Sequence, residues 1–103
     1  ASEKIVSSLM SEVDAAYAQL KSGDSKSAAE TLDKAIEHWL TLDGYTHIFI
    51  RHSEINSTTE AFFQFRSDIG SGDADAAEGS YGLLSETLRS IMTMEQISLG
   101  SIF

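Results

Sequence analysis

The sequence predicts an all-α domain of four antiparallel helices, bundle-like and built as two helical hairpins with an internal two-fold repeat. Three observations carry that expectation. The bend-like run Leu20-Lys21-Ser22-Gly23-Asp24 followed by Ser27-Ala28 returns as Ile69-Gly70-Ser71-Gly72-Asp73 followed by Ala76-Ala77, an offset of 49 residues from Gly23 to Gly72. Glycine past a helix end takes the left-handed backbone cheaply, and an aspartate after it accepts hydrogen bonds from the first free amides of the next helix. Apolar residues between these points recur at helical spacing, and the chain holds no proline to break a helix.

Each helix can be justified in turn. Ser2 caps a first helix in which Ile5, Val6, Leu9, Met10, Val13, Ala16, Tyr17 and Leu20 share one face. Ala28, Leu32, Ala35, Ile36, Trp39 and Leu40 carry a second helix, expected over Ser25 to Leu42, with Asp43-Gly44 as its stop. Ile48, Ile55, Phe62 and Ile69 lie seven residues apart and favour one long third helix from Tyr45 to Ile69. Strand-forming residues at 46–51 compete with it, and the capping-box pattern at Ser57-Thr58-Thr59-Glu60 is a candidate kink. A fourth helix opens at Asp73 or Asp75, places Ala77, Tyr81, Leu84, Leu88, Ile91, Met92 and Glu95 on the inward stripe or its border, and stops near Leu99-Gly100. The apolar tail Ser101-Ile102-Phe103 would gain by folding back on the bundle.

Composition narrows the function. With 103 residues and 42% apolar content, residues 1–103 form a single domain with one core. The absence of cysteine excludes disulfides, thiol catalysis and cysteine metal sites. A formal charge of −9 argues against nucleic acid and anionic lipid as partners and allows a basic protein. No apolar run reaches the roughly 20 residues of a membrane-spanning helix, so no membrane insertion of these residues is expected. The start at Ala1-Ser2-Glu3 fits an export signal or anchor upstream.

No catalytic, cofactor-binding or metal constellation assembles. Gly23, Ala28, Leu32 and Ala35 match the second half of a tetratricopeptide repeat, but Glu12 and Gln19 stand where aromatics are usual, and ordinary hairpin packing explains the small residues. The candidate acidic face Asp68, Asp73, Asp75 and Glu78 fails the calcium-loop pattern, with Ala77 and Glu78 at positions needing a ligand and a glycine. These acids read better as helix caps. His38, His47 and His52 make no i, i+4 metal pair and read as a polar cluster with Arg51 and Glu54. Glu54 and Glu95 could meet as paired carboxylates, with a salt bridge to Arg51 or Arg66 as the plainer outcome. No nucleophile elbow or phosphate loop is present.

Trp39, the step Ile50-x-His52-x-Glu54-Ile55 and the ending Met94-Glu95-Gln96-Ile97-Ser98-Leu99-Gly100-Ser101-Ile102-Phe103 carry a likeness. The chain resembles a family of small helical proteins of Gram-positive bacteria known as a domain of unknown function. That pattern has a late tryptophan, a His-x-Glu-Ile-like step and a closing Glu-x-x-Ser-Leu-x-Asn-Ile-Phe, in which Ser101 here replaces the asparagine. The resemblance implies a membrane-tethered protein whose helical domain lies outside the membrane behind one amino-terminal hydrophobic segment. It implies no activity, cofactor or catalytic residue.

The resulting expectation is a non-catalytic, extracytoplasmic interaction or structural domain, with a contact surface near Trp39, His52 and Phe63. Two alternatives accompany it. One is an acidic antagonist that meets a basic protein through Asp68, Asp73, Asp75 and Glu78. The other is a bundle holding a small apolar ligand among Phe62, Phe65 and Tyr81.

Overall fold

Gly23 and Gly72 fold the chain back at φ +91° and +75°, the left-handed region that glycine enters without strain. In each bend the following aspartate caps the next helix: the Ser27 amide donates to Asp24 Oδ1 at 3.0 Å, and the Ala76 amide donates to Asp73 Oδ1 at 3.0 Å. The computed structural model describes residues 2–46 and 52–102, and the side chains of 5–42, 53–94, 96 and 97. Four helices result: α1 (Ser2–Lys21), α2 (Ser25–Thr46), α3 (His52–Ser71) and α4 (Ala74–Ile102), with no strand among the described residues.

The helices close into a ring in which α1 meets α2, α2 meets α3, α3 meets α4 and α4 returns to α1. Both bends lie at one end, where Leu20, Gly23, Asp68, Gly72 and Asp73 line a common depression of about 270 Å³. Neighbouring helices are therefore antiparallel. This closure separates the fold from a tetratricopeptide array, whose hairpins stack in an open line.

Burial repeats with the chain. Val6, Leu9, Val13 and Ala16 of α1 recur at the same offset as Ile55, Thr58, Phe62 and Phe65 of α3, all buried. Ala28, Ala35, Trp39 and Leu42 of α2 recur as Ala77, Leu84, Leu88 and Ile91 of α4, again all buried. Volume is exchanged between the halves: Phe65 stands where Ala16 does, and Trp39 where Leu88 does. Thr58 puts a hydroxyl at a core position, but it donates to the Glu54 carbonyl at 2.6 Å and is satisfied.

Three boundaries differ from the sequence expectation. Helix α2 runs through Asp43-Gly44 to Thr46, because there aspartate precedes glycine and cannot cap a helix beyond it. Consequently Tyr45 and Thr46 belong to α2 and α3 begins at His52, while residues 47–51, with most of the strand-forming stretch, lie outside the described residues. Ser57, Thr58 and Thr59 neither cap nor break α3; each hydroxyl donates to the carbonyl four residues back, at 2.8, 2.6 and 2.9 Å, bonds that exist only in a helix already formed.

Helix α4 also passes Gly100 and continues to Ile102, while Phe103 and the side chains of the expected apolar tail lie outside what is described. Its 29 residues match the 46 Å long axis of the molecule, whereas 20 residues of α1 reach only about 30 Å at 1.5 Å per residue. The last turns of α4 overhang, and Ile97 is 66% exposed.

Candidate functional site

The polar side chains cross the helix seams one pair at a time. Between α1 and α2, Nδ1 of His38 lies 2.9 Å from both carboxylate oxygens of Glu12 and donates to them. His38 thus turns to α1, not toward Glu54 as the expected histidine cluster required. His47 and Arg51 of that cluster, and the side chain of His52, lie outside what is described. Between α2 and α3, Arg66 Nε donates to Asp33 Oδ1 at 2.7 Å, so Arg66 is not the partner of Glu54. The Glu95 side chain lies outside the described set.

An aromatic group closes the α1–α4 seam. Tyr17 and Tyr81 stack with centroids 4.0 Å apart and planes 9° apart, while Phe65 packs against both at 6.4 and 5.8 Å. Lys21 Nζ sits 4.9 Å above the Tyr17 ring. The Tyr81 hydroxyl donates to Asp14 Oδ1 at 2.7 Å, and this bond, aided by partial burial, holds the phenol above its ordinary value. Phe62 and Phe65 are fully buried and occupied by neighbouring rings. They pack as core, leaving the expected apolar ligand no place among Phe62, Phe65 and Tyr81.

The α2–α3 seam holds most of the expected contact surface. Trp39 is only 4% exposed, its ring stacks on Phe62 at 5.8 Å, and its indole N–H donates to Thr59 Oγ1 at 2.8 Å. It is therefore a core residue with a satisfied donor. Phe63 is 50% exposed, and so is Leu40, which periodicity had placed inward. Sequence reasoning missed Leu40 because it sits on the border of the α2 stripe, next to the residue that does the packing.

The expected acidic face divides. Asp73 is committed as a cap and Asp68 accepts a bond from Gln64 Nε2 at 3.1 Å, whereas Asp75 and Glu78 are exposed near the start of α4. Acids there are stabilised by the positive helix end. At the opposite end of the bundle, Glu54, Glu86, Arg89, Ser90, Thr93 and Met94 line an open depression of about 650 Å³. Glu54 Oε2 is buried there without a hydrogen-bond partner, but Glu54, Glu86 and Arg89 are not bonded or ion-paired to one another. Among the described residues no group of three His, Asp or Glu side chains could hold a metal ion, and no helix is long and apolar enough to cross a membrane.

A family model, the domain of unknown function DUF4363, matches residues 2–102. The chain belongs to that family. The match takes in both hairpins and the α4 overhang, so the whole ring is the family's domain. No curated protein and no solved structure matches the chain.

Proposed function

We propose that this DUF4363 domain is a non-catalytic helical module that works by contact with another protein or as a structural element, outside the cytoplasmic membrane and tethered to it by a segment preceding these residues. The observation that carries the reading is how the polar side chains are used. Glu12 with His38, Asp33 with Arg66, Asp14 with Tyr81 and the two capping aspartates each tie one helix or bend to its neighbour, which supports a rigid presenting scaffold. Large apolar side chains are meanwhile left in solvent at Leu40, Phe63, Leu83 and Ile97. The placement outside the membrane rests on the resemblance carried by Trp39, His52, Glu54, Ile55 and the closing residues.

The test is affinity capture from the native envelope using the intact domain, with fractionation of the full-length gene product alongside. A specific retained protein and a membrane-bound full-length product are expected. Capture of nothing, together with a full-length product found in the soluble cytoplasmic fraction, would contradict both halves of the reading.

A further inference from the structure

The internal repeat supplies a control for every surface position, because each seam of the ring has a counterpart in the other half. Across the α2–α3 seam Trp39 stacks on Phe62, and the next residue of each helix, Leu40 and Phe63, is half exposed. Shifting by the repeat turns Trp39 and Phe62 into Leu88 and Val13 of the α4–α1 seam, both buried. The residues that follow are then Arg89 and Asp14, both exposed. The same two positions of one scaffold thus carry charge on one side of the ring and large apolar groups on the other. Packing does not require apolar residues there, so Leu40 and Phe63 lack a structural reason in the isolated domain.

From this contrast we infer that the Leu40–Phe63 seam is a docking surface for an amphipathic basic helix of a partner protein. The inference rests on the interaction reading above and names its site. Glu37 lies three residues before Leu40 and Glu60 three before Phe63, so each apolar side chain has an exposed acid one turn away on its own helix. Arg66, a cation of this seam among the described residues, is held by Asp33 at 2.7 Å. An apolar centre flanked by carboxylates on a chain of charge −9 fits a helix with leucine-like knobs and lysine or arginine flanks, whereas a second copy of the domain would bring another −9 against it.

The repeat also dictates the test. Exchanging the seam for its counterpart gives L40R/F63D, which leaves the net charge at −9 and installs side-chain types that the other half already exposes at these positions. The probe is a synthetic amphipathic peptide of leucine and lysine at helical spacing, titrated into labelled domain while amide shifts are followed. Saturable shifts around Leu40, Phe63, Glu37 and Glu60 are expected in the unaltered domain, with affinity falling about tenfold or more in L40R/F63D. E37Q/E60Q should bind with a shallower salt dependence.

Circular dichroism checks that the exchange folds, and L40A/F63A provides a milder variant. Equal affinity of the exchanged and unaltered domains would overturn the inference by assigning the attraction to overall charge. Sedimentation showing dimers that L40R/F63D abolishes would overturn it in favour of a second copy. In the envelope capture, a partner retained equally by both domains would sink this site while leaving the interaction reading standing.

Discussion

At Gly72 the backbone sits at φ +75° and a Cβ would meet nothing within 4 Å, so substitution there is opposed by backbone strain alone. Gly72→Ala should destabilise by about 1 kcal/mol or more. Gly79, inside α4 and also open to a Cβ, should respond with the opposite sign: Gly79→Ala should stabilise by about 0.5–1 kcal/mol because it adds helix propensity. Paired urea titrations of the two variants check both signs. The bend aspartates act through charge. Backbone and side-chain hydrogen bonds from Ser27 hold the Asp24 carboxyl below its ordinary value of 3.8. Its contribution to stability is therefore present above that value and is lost as pH falls through the lowered one. Asp24→Asn should flatten the acid limb of the stability profile between those values. Tyr81 behaves oppositely. Its raised pKa means that the Asp14 bond is intact below pH 10.0 and is lost as pH rises through the higher folded value. Absorbance titration should show Tyr81 ionising late, and Asp14→Asn should bring that step earlier.

The helices differed in how much of them the sequence could disclose. Both bends were legible because each depends on a local order, glycine then aspartate, that needs nothing from the rest of the chain. The Asp43-Gly44 pair contains the same residues in reverse order and does not stop α2, which runs on to Thr46, so the order of the pair carries information that its composition does not. Ser57, Thr58 and Thr59 suit a cap or a formed helix equally, and only the surrounding packing, with Ile55, Phe62 and Phe65 buried, selects the helix. Trp39 was legible as an anchor, but not as buried, because its hydrogen-bond partner Thr59 lies twenty residues away on another helix. Phe63 is legible as part of the expected contact surface, whereas Leu40 stands out only when the two halves are aligned residue by residue, which sets the pair opposite Arg89 and Asp14. Trp39→Ala tests the anchor. It removes the Phe62 stack and leaves Thr59 without its donor, and should cost about 3–5 kcal/mol by calorimetry or urea titration.

For the molecule as a whole, two features set the behaviour: a closed ring and a large negative charge. At −9 the folded domain repels itself, so added sodium chloride should raise its melting temperature by a few degrees through screening. A melting temperature that falls with salt would mean that attractive contacts such as the Asp33–Arg66 ion pair outweigh the general repulsion. Ring closure matters more, because the pairing of seams, and with it the contrast between Leu40–Phe63 and Arg89–Asp14, exists only if α4 returns to α1. The decisive contact is the stack of Tyr17 on Tyr81 with Phe65 behind it. Nuclear Overhauser measurement between these three rings tests it directly. Strong cross-peaks joining Tyr17, Tyr81 and Phe65 are predicted; their absence, with the α1–α2 and α3–α4 contacts still present, would show two hairpins in an open array and contradict the account.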